Sequence, residues 1–138
     1  IQIGIRSVDA HEKIKVVEAG VNVLDMRQID EIGMRAVLEK ALGRLPRKNV
    51  HLHVSFDVDF LDPSIAPGVA TTVQGGPNYR EAQLCMEMIH DSGFLGSLDV
   101  FELNPAFDLN NRSAELAVEL VESLLGKQIL ARNPAGFY

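Results

Sequence analysis

Residues 50–59 read Val-His-Leu-His-Val-Ser-Phe-Asp-Val-Asp, the most strand-like run in the chain. The run contains β-branched and aromatic residues, and a loop rich in proline and glycine follows it from residue 62 to residue 77. This pattern predicts a strand over residues 50–58. Because side chains two apart on a strand point to the same face, Asp57 and Asp59 are expected to project together from its carboxyl end.

Strand-like apolar runs alternate with longer amphipathic runs on both sides of this segment. The alternation predicts an α/β fold, in which one continuous parallel sheet is flanked by helices. Glutamate follows three residues after the first predicted cap, Asp9, and three residues after another, Asn78, as in a capping box. The further predicted strands cover residues 1–6, 21–24 and 94–103, and the predicted helices cover residues 9–20, 28–45, 77–91 and 113–125, before a tail over residues 127–138.

Composition limits the classes of protein to which the chain can belong. Its 138 residues are 46% hydrophobic, which is enough for the core of one domain. The net charge of −6 and the lack of a basic stripe argue against nucleic acid as a partner. A single cysteine, Cys85, and the absence of an apolar run of roughly 20 residues predict a cytoplasmic protein with no membrane partner. The first residues, from Ile1, read as a strand and suggest a start within a longer protein.

The carboxylate pair Asp57 and Asp59 lies where α/β sheets bind ligands, at the carboxyl end of a strand. Two such anions need a proton or a cation between them, and hard divalent metals prefer oxygen ligands. The spacing alone agrees equally well with acids that cap a helix or face water. A haloacid-dehalogenase-like phosphatase loop also has two aspartates at this spacing, but Phe60 stands where that loop usually has Thr or Val.

The residues that follow Asp57 and Asp59 resemble the signature of a known family. Residues 62–68 (Asp-Pro-Ser-Ile-Ala-Pro-Gly), Thr71, Gly75-Gly76 and residues 79–81 (Tyr-Arg-Glu), together with residues 55–59, resemble the ureohydrolase signature of arginases and agmatinases. The chain departs from that signature at Ala70, Thr72 and Gln74. The resemblance implies a three-layer α/β/α fold, with residues 1–138 as the carboxyl-terminal part of a single arginase-like domain.

The same resemblance implies a dinuclear manganese site. Asp57 would bridge two Mn²⁺ ions and Asp59 would bind one of them, while a hydroxide between the ions attacks the guanidinium carbon of the substrate. Two ions roughly 3.5–4 Å apart lower the pKa of a shared water and stabilise the charge of a tetrahedral intermediate. Urea and an amine would then leave.

Three further acids are candidates for substrate binding. Glu102, in the run Glu-Leu-Asn-Pro of residues 102–105, lies at the carboxyl end of the predicted strand over residues 94–103 and matches the family, which gives it a catalytic and guanidinium-binding role. Without that match, a surface or capping acid is the more common explanation. Asp9 and Glu12 follow the first strand and resemble the arginase segment that contacts the substrate α-amino group, with Ser7 where an acid is common.

The histidines and sulfur residues are not assigned chemistry. His53 shares a strand face with Asp57 but lies about 13 Å along the strand from it at roughly 3.3 Å per residue, which is too far for a common metal ion. We expect core or hydrogen-bonding roles for His51 and His53, and structural or solvated roles for His11 and His90. The sulfur residues of the helix after the signature, Cys85, Met86 and Met88, are expected to fill core space.

The resemblance implies hydrolysis of L-arginine to L-ornithine and urea, as in arginine metabolism and the urea cycle, and the trimers or hexamers usual in the family imply a homo-oligomer. An agmatinase or another guanidino-compound ureohydrolase is the alternative, and a non-catalytic fragment or assembly module with half a metal site is an alternative of another class. Two convincing acids do not fill the coordination of a manganese pair. We therefore expect the remaining ligands to lie in a preceding half of the protein, and this chain alone to be inactive.

Overall fold

The structure is a computed structural model that describes residues 1–46 and 48–130. Strands and helices alternate along it, so the predicted α/β class is confirmed. A short 3-10 helix, Val58–Phe60, follows the third strand. The elements are β1 Gln2–Ile5, α1 Ala10–Glu18, β2 Val23–Asp25, α2 Met26–Leu42, β3 Leu52–Asp57, α3 Tyr79–Asp91, β4 Leu95–Phe101 and α4 Arg112–Leu124.

The strands of the described residues form two parallel pairs rather than one sheet. β1 pairs with β2, and β3 pairs with β4 in a register that sets Asp57 opposite Phe101. The expectation of one continuous sheet is therefore wrong for this part of the chain. β1 and β3 are not paired with each other, and both line a cavity of about 470 Å³. Sequence periodicity identifies strands but not their neighbours, which is why it missed this separation.

One apolar face of the β3–β4 pair packs against the helices. On β3, Phe56 is buried while His53, Ser55 and Asp57 on the opposite face are exposed, as strand alternation requires. Helix α2 packs against β1, β2 and α3, and α3 packs against α4. The side chains that make up the core come mainly from β3, the loop after it and these three helices.

Helix α2 differs most from its predicted form. It begins at Met26, where Asp25 accepts a hydrogen bond from the Gln28 N–H, and it is interrupted at Gly33, whose φ is 81°. The interruption changes the angular position of the residues after it, so a single helical repeat over residues 28–45 does not describe the buried face. Ile32, which an uninterrupted helix over residues 28–45 would place on the same face as Ile29 and Ala36, is 51% exposed. The buried residues are Ile29, Met34, Val37, Leu38 and Ala41.

The other helices begin close to where their capping residues predict. Asn78 and Glu81 form both hydrogen bonds of a capping box at the start of α3. At α1 only half of the expected box forms: Asp9 accepts from the N–H groups of His11 and Glu12. Helix α1 buries none of its residues.

No helix in the described ranges is long and apolar enough to cross a membrane. The predicted tail over residues 127–138 lies outside the described residues from residue 131 onward.

Candidate active site

Asp57 and Asp59 lie on different elements. Asp57 is the last residue of β3, whereas Asp59 lies inside the 3-10 helix that follows. Strand alternation therefore does not align the two carboxylates, contrary to the prediction, because β3 ends at Asp57 and Asp59 is no longer part of it. The tight turn brings the carboxylates together instead. Val58 between them is completely buried and anchors the turn in the core.

Three carboxylates interact at this turn. Burial raises the pKa of the Asp59 carboxyl above its ordinary value of 3.8, and the negative charges of Asp57 and Glu102 raise it further. The Arg6 guanidinium acts in the opposite direction but does not cancel these effects. Glu102 directly follows Phe101, which pairs with Asp57, so it lies at the same edge of the strand pair as the aspartates, as expected for residues at the carboxyl ends of neighbouring parallel strands. The result is a site with excess negative charge.

Glu102 follows β4 in a left-handed backbone conformation with φ of 65°. A side chain with a Cβ rarely adopts this conformation, and a strained residue at a strand end is typical of functional sites. The backbone after Glu102 is held at two positions: Leu103 forms an antiparallel bridge with Val69, and the Asn104 N–H donates to the Gly68 carbonyl at 2.8 Å. Sequence analysis identified this glutamate but not its strain.

The loop after the 3-10 helix is held by Asp62, to which the sequence assigned no role. Its carboxylate accepts from the N–H groups of Ser64, Gly75 and Gly76 at 3.0, 2.9 and 3.2 Å. Hydrogen bonding, first from Ser64 and then from the two glycines, lowers the pKa of Asp62 to about 2. An aspartate two residues before a serine is a turn signal that could have suggested this.

Close backbone contacts explain the glycines of this loop. A Cβ on Gly76 would lie 2.6 Å from the Asp62 nitrogen, and one on Gly68 would lie 2.7 Å from the Asp108 side chain. The Gly68 N–H also donates to the buried Ser113 hydroxyl at 2.7 Å. The loop is therefore packed against the chain at both positions rather than extended into solvent.

The predicted substrate-amine residues lie apart from this electrostatic cluster. Asp9 and Glu12 are exposed, and one oxygen of Asp9 is occupied in capping α1. Neither is among the charges that shift the pKa of Asp59. Their role in binding an α-amino group remains a prediction.

The strand histidines form a separate polar group on the exposed face of β3 and β4. His51 and His53 both contact the Ser97 hydroxyl, at 3.0 and 2.7 Å, and His53 Nε2 lies 3.3 Å from Asp99 Oδ2. The expected hydrogen-bonding role is confirmed, and the expected core position is wrong, because both side chains are exposed. His11 is exposed at the first turn of α1, and His90 contacts the Leu124 carbonyl at 3.2 Å.

Within residues 1–46 and 48–130, no three histidine, cysteine, aspartate or glutamate side chains form a group that could hold a metal ion. Asp57 and Asp59 are thus a pair of possible ligands and not a complete coordination shell.

The sequence of the chain matches a known protein family. The Arginase family profile matches residues 1–126. The chain belongs to the arginase family.

Individual relatives agree with the family match. The chain is 52% identical over 135 residues to the arginase of Agrobacterium fabrum, and 54% identical over 130 residues to that of Brucella suis. It spans 98% and 94% of its own length in these matches, but only 42% of the length of either relative. The matched part is therefore less than half of a curated arginase.

Solved structures of the family have the same fold over this part. The crystal structure of arginase from Bacillus subtilis matches with a TM-score of 0.88 and 47% identity, covering 93% of this chain and 45% of that one. A hypothetical agmatinase from Burkholderia thailandensis matches with a TM-score of 0.74 and 32% identity over 90% of this chain and 37% of that one. The described chain is a partial arginase fold, as the signature predicted.

Proposed function

We propose that this chain supplies the carboxyl-terminal part of a manganese-dependent arginase, which hydrolyses L-arginine to L-ornithine and urea. The observation that carries the proposal is the position of three acids at one edge of the paired strands β3 and β4: Asp57 ends β3, Asp59 lies in the turn directly after it, and Glu102 directly follows Phe101, which pairs with Asp57. Identity of 52% to a curated arginase supports the choice of substrate.

The donor set fits one side of a divalent metal site. Mn²⁺ prefers carboxylate oxygens. Burial and then the negative charges of Asp57 and Glu102 raise the pKa of Asp59, and the Arg6 guanidinium does not offset them. A cation between Asp57 and Asp59 would relieve that repulsion. Two ions of this kind, when bound, supply Lewis-acid activation of water. In our proposal the other ligands come from polypeptide outside the described residues.

The chain's own residues would bind and orient the substrate. Glu102 would accept two parallel N–H bonds from the planar guanidinium, which fixes the guanidinium carbon relative to the two aspartates. Asp9, with Glu12 beside it, would accept the α-amino group through oxygens that the helix cap leaves free. The strained backbone of Glu102 supports this assignment, because such strain is usually retained where function requires it.

Steady-state assays on the complete gene product test the proposal. We expect Mn²⁺-dependent urea release from L-arginine, and a loss of at least 100-fold in kcat/KM in the Asp57→Asn and Asp59→Asn variants. Asp99→Asn is the matched control, because Asp99 is an exposed strand aspartate that contacts His53 rather than the cluster. Equal losses in Asp59→Asn and Asp99→Asn, or full activity in all variants, would contradict the proposal.

A different guanidino substrate is the nearest alternative. The structural match to a hypothetical agmatinase, at 32% identity, is weaker than the 47% match to an arginase, which favours arginine. Comparing kcat/KM for L-arginine and agmatine separates the two. Agmatine lacks the α-carboxylate of arginine but keeps an amino group, so a preference for agmatine would leave the roles of Asp57, Asp59 and Asp9 intact and change only the assigned substrate.

A non-catalytic assembly module is the alternative of another class. The lack of a three-ligand metal group in the described part of the chain favours it. Calorimetric titration with Mn²⁺ and a light-scattering mass of the complete gene product discriminate the two. A stable complex that neither binds Mn²⁺ nor releases urea would support the module.

We also propose a cytoplasmic location and a homo-oligomer, a trimer or hexamer. The single cysteine, Cys85, is buried and unpaired, which agrees with a reducing compartment. Exposed apolar residues such as Val17, at 80% exposure, agree with further contacts of the chain.

A further inference from the structure

The Arg6 side chain donates five hydrogen bonds to backbone carbonyls that lie far from it in the sequence. It follows directly after the strand, and its guanidinium is partly buried. Nε and Nη2 both donate to the Val73 carbonyl, at 2.9 and 2.7 Å. The remaining bonds go to three consecutive carbonyls, those of Asp59 at 2.8 Å, Phe60 at 3.1 Å and Leu61 at 3.2 Å.

The three consecutive carbonyls belong to the end of the 3-10 helix. The Val58 carbonyl is already occupied by the Leu61 N–H at 3.2 Å, and the carbonyls after it have no partner within the turn. A cation is favourable at such an end because the helix carbonyls point their negative ends outward. Arg6 supplies both the charge and a planar set of N–H donors, which a lysine cannot reproduce.

A second contact joins the same two elements. Gly4 lies against the Phe60 ring so closely that a Cβ on it would be 2.3 Å from a ring carbon. The turn is therefore held at two places, by packing of Gly4 against the Phe60 ring and by hydrogen bonds from the Arg6 guanidinium. The ring contact comes from Gly4 in β1, and the guanidinium comes from Arg6, the residue directly after β1; both reach the 3-10 helix.

We propose that Arg6 is a positioning residue that fixes the Asp59 carboxylate relative to Asp57 by holding the carbonyls of the 3-10 helix. This inference rests on the metal-binding role proposed above for Asp59. Asp57 is placed by its strand, but Asp59 is placed only by the turn, so the spacing of the two carboxylates depends on how firmly the turn is held. The same guanidinium holds the Val73 carbonyl, so it also ties the loop after the turn to β1.

A measurement without metal tests whether the hydrogen bonds of Arg6 hold the turn in place. In the complete gene product, amide hydrogen exchange is compared among wild type, Arg6→Lys and Arg27→Lys. Arg27 is the matched control, because it is an exposed arginine whose only described partner is Glu31, four residues away. We expect the amides of Leu61, Asp62 and Gly76 to exchange about tenfold faster in Arg6→Lys alone, with the β3 amide of Leu52 unchanged. Unchanged exchange at the turn would overturn the proposal.

Metal titration then tests the consequence. We expect the Kd for Mn²⁺ to rise about tenfold in Arg6→Lys and to stay unchanged in Arg27→Lys, at equal thermal unfolding midpoints of the metal-free proteins. Faster exchange with unchanged Mn²⁺ affinity would reduce Arg6 to a structural residue and overturn the positioning role. If wild type binds no Mn²⁺ while exchange in Arg6→Lys changes as expected, the proposed function is wrong, but the finding that Arg6 holds the turn in place remains.

Discussion

Substitution of the single residue Glu102 should lower activity without lowering the stability of the fold. Its positive φ of 65° carries strain that glycine does not have. We expect Glu102→Gly to lower kcat/KM for arginine by about 100-fold, from loss of a charged hydrogen-bonding partner worth about 2–3 kcal/mol. Its free energy of unfolding should nevertheless equal or exceed that of wild type.

The matched variant is Glu102→Ala, which removes the same carboxylate and retains the strain. Urea denaturation should find it about 1 kcal/mol less stable than Glu102→Gly, with the same loss of activity. Retained activity in either variant would argue against a role in substrate binding.

Asp62 makes the stability of the loop depend on pH. Its folded pKa of about 2 lies below its ordinary value of 3.8, so its stabilising contribution is present above pH 4 and is lost as the pH falls from about 4 to 2. We expect Asp62→Asn to reduce the free energy of unfolding at pH 7 by about 1 kcal/mol, a value discounted for solvent screening.

The test compares urea denaturation of wild type and Asp62→Asn between pH 7 and pH 3, with the exposed Asp30→Asn as control. The difference should shrink toward pH 3 for Asp62 and be absent for Asp30. A difference that is constant across this range would show that the amide is disruptive for a reason other than the lost charge.

The sequence predicts which residues meet at the site better than it predicts how they are held. Asp57 ends β3 and Glu102 directly follows β4, and periodicity predicts that both lie at carboxyl ends of strands, where parallel strands share an edge. That β3 and β4 are neighbours comes from the structure and not from periodicity. Arg6 and Asp62 act on backbone carbonyls and N–H groups that become partnerless only in a particular turn. No pattern of side chains identifies those groups, and the contacts span 53 to 67 residues for Arg6.

At the scale of elements, Gly4 determines how β1 meets the 3-10 helix. Its φ is 79°, and an added Cβ would lie 2.3 and 2.6 Å from two carbons of the Phe60 ring. We expect Gly4→Ala to destabilise the fold by about 3 kcal/mol, from backbone strain of about 1 kcal/mol together with overpacking of about 2 kcal/mol.

Gly20 is the control for that variant, since its φ is 63° and an added Cβ there would meet nothing within 4 Å. Gly20→Ala should cost only the backbone strain, about 1 kcal/mol. Equal effects of the two substitutions in urea denaturation would mean that Phe60 moves aside freely and that the contact does not fix the turn.

Helix boundaries were predictable where a cap or a stop is encoded locally. The capping box of α3 involves Asn78 and Glu81, which lie three residues apart, and both hydrogen bonds form. Helix α2 was mispredicted because the interruption at Gly33 depends on packing of the residues after it against the core. Local sequence permits a glycine inside a helix at modest cost, and only tertiary contacts decide whether the helix continues through it.

At the scale of the whole molecule, three features of the described residues support the proposal that this chain is one part of a longer enzyme. β1 and β3 border a cavity of about 470 Å³ without pairing across it. Phe101, on the face of β4 away from the helices, is 51% exposed. The described residues also lack a group of three metal ligands. Unpaired strand edges and exposed apolar faces favour association with other polypeptide.

We therefore expect the purified 138-residue chain to release no measurable urea from arginine with Mn²⁺, while the complete gene product does. Light scattering should show the isolated chain associating, because its strand edges and apolar face have no cover. Adding the separately produced remainder of the gene product should restore urea release at one-to-one stoichiometry, and should not do so when the remainder is added to an Asp57→Asn chain. Turnover by the isolated chain at the rate of the complete protein would show instead that residues 1–138 contain every ligand the reaction needs, and would require a metal site other than the one centred on Asp57 and Asp59.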